Sequence, residues 1–307
     1  MSTDNSPVTE DPNKRLVESL VGMTVESTST SEAISELADA FLASKNIVFC
    51  TGAGLSVASG ISLYRSDSEP NAIWNNYVET TGRLETMRKM GVTKWFNEFL
   101  MDSHYNDSFL NAIPNAGHDA ITELTRIFPN TSVITQNVDN LHKKSGMEYS
   151  QLYEVHGNLT GWRCLNRNCK HHKKEVLRLN LDDYIIPGSS DPLRYDPKCP
   201  LCDSHATPNV LWFDMSYGDI YMAGGHTFDD IVRLISAADV VCFVGTSNSV
   251  GITGHIEHIV YDQNKLAFDF NISSETTLVR SKLIQGPAAE TLPALVNLLK
   301  ERAPDRF

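Results

Sequence analysis

Residues 51–65 read TGAGLSVASGISLYR and follow directly on the apolar run NIVFC. Three glycines and four serines or threonines behind a short β-branched segment describe a buried strand emptying into a loop with few bulky side chains. Glycines at such a strand end let backbone amides approach a phosphate closely. Gly52 and Gly54 suit an ordinary strand-to-helix turn equally well, and their spacing is not the G-x-G-x-x-G of hydride-transfer dehydrogenases. What surrounds the loop decides between the two.

Upstream, SEAISELADAFLAS combines a serine cap with apolar residues at helical spacing and predicts a helix. Downstream, residues 66–112 carry Trp74, Trp95 and several phenylalanines at helical intervals, which reads as a helical insertion with a core of aromatics. GHDAITELTRIF predicts a helix, TSVITQNV a strand, and YEVHGNL a further extended run. A polar, cysteine-bearing segment occupies about 162–206. The main pattern then resumes with NVLWF, the helix FDDIVRLISAA, the strands DVVCFVGT and LAFDF, and a closing helix AETLPALVNLLKERA. Strands alternating with helices specify an α/β fold, a doubly wound, largely parallel sheet with helices on both faces. The cysteine segment is expected as a small inserted module, and residues 1–30, rich in Ser, Thr, Asp and Glu, as a mostly disordered extension.

With 307 residues, 41% hydrophobic and 21% charged, the chain has an ordinary globular balance. Its net charge of −12 disfavours direct nucleic-acid binding, which runs on neutralising phosphates with Lys and Arg. No apolar run approaches the ~20 residues of a membrane span, so no membrane association is expected. The polar, acidic start MSTDNSPVTEDPNKR is no secretory signal. The expected location is intracellular, nucleus or cytoplasm, and the N-x-S/T matches at Asn106, Asn130, Asn158 and Asn271 carry no weight. In a reducing compartment, clustered cysteines favour metal over disulfides. Cys50 and Cys242 sit in apolar runs as core residues. Cys164 and Cys169 are separated by four intervening residues, Cys199 and Cys202 by two, and the two pairs by 29. Two thiolate pairs suit a tetrahedral structural zinc, with His171, His172 and His205 as competing ligands and unligated or oxidised cysteines as the alternative.

Other strand ends supply the glycine loop's company. TQNVDNLH (135–142) places Gln136, Asn137 and Asp139 after an apolar strand, VHGN (155–158) supplies His156, and VGTSNSV (244–250) ends another strand in small hydroxyl residues. Ligands of doubly wound sheets sit at this edge. His, Asn and Asp there can orient a sugar hydroxyl and accept its proton.

Together GAGLSVASGISLYR, TQNVDNLH, HG and GTS, with PNAGHDAI at 114–121, resemble the sirtuins, NAD-dependent protein deacylases, from about residue 32 to 300. The resemblance implies a Rossmann-like NAD-binding domain formed by 31–161 and 207–307, with a cofactor loop within 66–112 and a zinc module at 162–206. It implies release of nicotinamide from NAD and transfer of the acyl group to give O-acyl-ADP-ribose. His156 stands at the general base. Asn137 stands where the ribose and a water are ordered, Gln136 at the ribose hydroxyls, and Asp139 at the nicotinamide amide. Gly52, Ala53 and Gly54 back the diphosphate and ribose. Tyr64 covers the nicotinamide site and Arg65 lies near the phosphates. Gly245, Thr246, Ser247 and Asn271 line the adenosine side.

Departures from the family pattern bear on the substrate. Ser62, Leu63 and Tyr64 replace Pro, Asp and Phe. PNVLWFDM replaces P-x-V-V-x-F-G-E in the loop that pairs with a peptide substrate as an added strand, with Val210, Trp212 and Phe213 as its contacts. Asp214 and Met215 there alter backbone freedom and add charge. The helix WFNEFLMD lacks the Tyr-x-x-Arg pair that receives acidic acyl groups, so a neutral acyl-lysine protein or peptide is the expected substrate. The alternatives are an NAD hydrolase or protein ADP-ribosyltransferase, which cleave the same bond, and a non-catalytic NAD or ADP-ribose sensor.

Overall fold

The computed structural model describes residues 29–62, 76–105, 107–172, 177–188, 194–247, 251–274, 276, 278 and 280–307. Tyr64 and Arg65 lie outside the described residues, as do Leu63, Trp74 and the N-terminal extension up to residue 28.

Six parallel strands form the main sheet: β1 (Ile47–Thr51), β2 (Thr131–Thr135), β3 (Leu152–Glu154), β6 (Val240–Val244), β7 (Leu266–Asn271) and β8 (Ser281–Gln285), in the order β3-β2-β1-β6-β7-β8. Every residue of β1, β2 and β6 is buried, as expected of central parallel strands covered on both faces. Helices α1 (Thr30–Ala43), α2 (Ala116–Ile127) and α5 (Ala288–Arg302) cover one face around Phe41, Phe49, Phe268 and Phe270. Helices α3 (Phe228–Ala237) and α4 (Gly251–Asp262) cover the other around Val48, Val241 and Phe243. The cap of α1 is Ser29, whose side chain and that of Glu32 satisfy each other's backbone amides.

Strand β8 has no clear sequence signal, because SKLIQ is an edge strand in which Ile284 alone is buried. The run NVLWF does not rejoin the main sheet. Ala206–Val210 forms β5, antiparallel to β4 (Gly157–Cys164), so the strand leaving the cysteine segment pairs with the one entering it. A third apolar cluster joins the helical insertion to this pair, with Trp95 and Trp212 at 5.0 Å and Phe96 and Trp162 at 5.6 Å. Strand order reverses between β1 and β6, and the carboxyl ends of those strands and their neighbours open a crevice there.

Candidate active site

Two loops meet at the switch point. The amide of Gly52 donates to Val244 O (2.9 Å) and that of Gly54 to Gly245 O (2.8 Å). A Cβ on Gly54 would stand 2.7 Å from the Gly245 Cα, and one on Gly245 2.4 Å from the Leu55 nitrogen. These glycines are therefore demanded first by the contact between the loops. Their amides point into that contact, and what they give the crevice is bare backbone surface.

The crevice holds a cavity of about 360 Å³. Gly52, Ala53, Gly54, Gln136, Asn137 and Asp139 line it, as do His156, Gly245, Thr246 and Ser247. Asn271 does not; it sits behind Thr246 and donates Nδ2 to that residue's carbonyl at 3.2 Å. Gln136 donates to Thr253 Oγ1 (2.9 Å). Asn137 donates Nδ2 to Gly52 O (3.0 Å) and to Ser56 Oγ (3.2 Å), which leaves its amide oxygen for the cavity side. Asp139 accepts from Ser56 Oγ (2.7 Å) and from the Leu141 amide (2.9 Å). Burial raises the Asp139 carboxyl above the ordinary range, and those two hydrogen bonds oppose the rise. Ser56 lies inside the glycine-loop motif but had no role in the sequence reading; its contacts become visible only when β1 and β2 stand side by side.

His156 sits in the turn between β3 and β4, and its Nδ1 lies 2.9 Å from Gln136 O. A carbonyl can only accept, so Nδ1 carries the proton and Nε2 is the basic nitrogen. Burial pulls the imidazole down to about 4, against the Gln136 bond, so the ring is neutral at physiological pH. Gly157 beside it has φ +76°, and a Cβ there would lie 1.8 Å from Asn209 O.

Val210, Trp212 and Phe213 line the same cavity, joined by residues that sequence spacing did not single out: Ile61, His104, Phe109, Val138, Leu211 and Tyr217. This side is chiefly apolar and aromatic. His104 is buried and pulled down to about 4, hence neutral. Tyr217 holds its ring at 19° to that of His156, with centroids 6.1 Å apart. Asp214 directs its charge elsewhere than the peptide loop's open face. Its carboxylate accepts from the amides of Leu84 (2.7 Å) and Glu85 (3.0 Å), capping the helix Leu84–Met90 whose own cap residue, Arg83, supplies no side-chain bond. The Phe213 amide donates to Gly82 O (3.1 Å), and Met215 Sδ accepts from the Trp212 amide and from buried Arg163.

The sulfurs of Cys164, Cys169, Cys199 and Cys202 all lie within 4.8 Å of one another. Cys164 to Cys202 is 3.5 Å and Cys169 to Cys199 is 3.8 Å. A tetrahedron with zinc–sulfur bonds of about 2.3 Å has edges of about 3.8 Å, so the donor set fits. Among the described residues the cluster contains these four cysteines alone. His171 packs Nδ1 against Cys199 Sγ (3.4 Å), His172 faces Cys164 O (2.7 Å), and His205 pairs with Asp196 (3.1 Å).

With this geometry in place, the chain can be set beside known proteins. It matches the Sir2 family over residues 52–251. It is 34% identical to NAD-dependent deacetylase sir2E of Dictyostelium discoideum, over 88% of this chain and 78% of that one. It is 32% identical to an NAD-dependent protein deacylase of Pyrococcus abyssi, over 86% and 97%. Among solved structures, a Sir2 homologue in complex with NAD is similar at 26% identity and a TM-score of 0.64, over 87% of this chain and 94% of that one. A mutant Sir2 homologue in complex with 2′-O-acetyl ADP ribose is similar at 27% and 0.66, over 87% and 96%. The chain belongs to the Sir2 family.

Proposed function

We propose that the protein is an NAD-dependent protein-lysine deacylase acting on neutral acyl groups and giving nicotinamide and O-acyl-ADP-ribose. The observation that carries this reading is the neutral His156, its Nδ1 proton fixed on Gln136 O and its basic Nε2 left for the cavity shared with Asn137, Gln136 and Asp139. In the proposed roles, Asp139 receives the nicotinamide amide and Asn137 and Gln136 order the ribose. His156 accepts a ribose hydroxyl proton at Nε2. Relatives named as NAD-dependent deacylases, and similar structures that contain NAD and O-acetyl ADP-ribose, support it.

The apolar side of the cavity supports a neutral acyl-lysine. A carboxylate entering between Trp212, Phe213 and a neutral His104 would lose its water with no Lys or Arg among the described lining residues to replace it. We further propose that the four cysteines hold a zinc ion that staples residues 162–206, with all four ligand positions filled by protein and none left for catalysis. The sheet domain, 31–161 with 207–307, and this module form the proposed two-part organisation. One zinc per purified chain, lost in Cys199→Ser together with thermal stability, tests the metal; a metal-free protein of equal stability contradicts it. No described helix is long and apolar enough to cross a membrane.

One observation favours a second reading, NAD hydrolysis or ADP-ribosyl transfer. The Phe213 amide, a donor that strand addition would use, is already given to Gly82 O. Nicotinamide release measured with and without acyl-lysine peptide separates the two. Release that requires peptide supports the deacylase, and peptide-independent release supports the alternative.

A further inference from the structure

Glu154 is buried, titratable and unused by the chemistry proposed above. It ends β3 two residues before His156 and is 3% exposed. Its Oε1 accepts from Nδ2 of Asn158, 2.5 Å away, two residues beyond His156. The same nitrogen gives its second proton to Asn140 Oδ1 at 3.0 Å. Asn158 Oδ1 accepts from the amide (2.8 Å) and hydroxyl (2.7 Å) of Thr160, which fixes the orientation of the Asn158 amide with its nitrogen toward Glu154. Asn140 is held in the left-handed conformation, φ 66°, directly after Asp139. A single side-chain amide thus bridges the turn that carries His156 and ties it to the segment carrying Gln136, Asn137 and Asp139.

The turn is a junction between the two sheets. At His156–Gly157 the chain leaves the parallel sheet for the antiparallel β4–β5 pair, passing through a positive-φ glycine. The backbone holds the base by the Leu211 amide on His156 O (2.9 Å), and the ring is held by Gln136 O. Backbone bonds also join this turn to the segment before Asp139, Val155 N–H to Thr135 O (3.1 Å) and Leu159 N–H to Val138 O (3.0 Å). The Glu154–Asn158–Asn140 chain adds a link beyond Asp139, and it is the one that carries a titratable group.

We propose that Glu154 is a positioning residue for His156, acting through Asn158 and Asn140, and that its ionised form holds the base in register with the ribose site. The proposal rests on the reading of His156 as the base. A charged acceptor makes the stronger bond to Asn158, so protonating Glu154 loosens the bridge. Burial pushes this carboxyl up to about 7 against the Asn158 bond; Arg178 and Lys143 favour its charged form and Asp139 its neutral form. His156 is pulled down to about 4, so between these two groups the ionisation close to neutrality belongs to Glu154.

The test uses the full chain with NAD and an acetyl-lysine peptide, following kcat/KM between about pH 5.5 and 8.5 in wild type and Glu154→Gln. The glutamine keeps the volume and an acceptor for Asn158 but does not titrate. The expected result is a wild-type rate that falls on the acid side of about 7 and levels off about three- to tenfold lower, near the rate of the variant. The variant should be flat there, with its plateau lowered about three- to tenfold. An acid limb that survives unchanged in Glu154→Gln, or a wild-type profile with no such limb, overturns the proposal. A second readout needs neither turnover nor the variant: the ring nitrogen NMR shifts of His156 in the wild-type protein, assigned with His156→Ala. A step in those shifts near pH 7, above the ring's own titration, supports the bridge, and its absence overturns it. Failure of the deacylase reading shows separately, as wild-type protein that turns over no NAD while the NMR step still decides for or against the bridge.

Discussion

Ser56 donates its hydroxyl proton to Asp139 across 2.7 Å, and that bond fastens the loop after β1 to the loop after β2. Asp139 is 7% exposed, and burial already raises its carboxyl. Ser56→Ala removes one of the donors to Asp139 and one of the two acceptors of Asn137 Nδ2. A buried polar group losing its partner costs about 1–3 kcal/mol. KM for NAD is expected to rise about tenfold or more, with a lower Tm. Unchanged KM with unchanged Tm would show that the bond does not organise the site.

The glycines separate into two kinds. Gly60 has φ +83° with nothing within 4 Å of a built Cβ, whereas Gly157 combines φ +76° with Asn209 O at 1.8 Å. Gly60→Ala should cost about 1 kcal/mol of backbone strain and leave turnover near wild type. Gly157→Ala must push β5 away from β4, and is expected to abolish turnover or soluble expression. Equal Tm values for the two variants would contradict this contrast.

Asp214 caps a helix of the insertion through the Leu84 and Glu85 amides. Asp214→Ala removes the cap and should lower stability by about 1 kcal/mol, and Asp214→Asn, which still accepts, by less. Because the same residue ties the peptide loop to the insertion, the alanine variant is also expected to change peptide KM by several fold while NAD KM moves little. A change confined to NAD KM would place Asp214 with the cofactor instead.

His104, His118 and His142 are buried, the first two pulled down to about 4 and the third well below its ordinary value by burial. Their folded pKa values are depressed, so between about 4 and 6.5 the unfolded chain binds their protons and the folded chain does not. Stability therefore falls as pH drops through that window, by up to about 1.4 kcal/mol per pH unit for each histidine. Glu154 and Asp139 are raised, and act in the opposite sense over the acid range. Denaturation midpoints should rise from pH 5 to about 6.5, and more steeply in Glu154→Gln, where one opposing carboxyl is gone. A flat or falling midpoint would mean that these imidazoles are protonated in the fold.

Much of this site was legible in the sequence because a parallel sheet sends its strand ends to one edge. Gln136, Asn137, Asp139, His156 and Thr246 each follow an apolar run, so order along the chain became adjacency in space. What stayed hidden depends on contacts between distant segments. The Asp214 cap and the place of His104 in the cavity follow from how the insertion packs against the β4–β5 pair, the place of Tyr217 from the chain after β5, and the Ser56–Asp139 bond from β1 and β2 standing side by side. Gly52 and Gly54 drew attention as phosphate-facing amides, yet their amides bind the neighbouring loop. β8 escaped because an edge strand with one buried side chain has no period to detect. Asn271 ends β7 but stands behind Thr246, to whose carbonyl it donates.

The central claim is that Nε2 of His156 is the base of an NAD-dependent deacylation. It is tested most directly by mass spectrometry of purified protein with NAD and acetyl-, butyryl-, myristoyl- and succinyl-lysine peptides, beside His156→Ala. The account predicts O-acyl-ADP-ribose that requires a neutral acyl peptide, little from the succinyl peptide, and loss of at least about a hundredfold in the variant. Acyl transfer that survives in His156→Ala, or nicotinamide release indifferent to peptide, would contradict it.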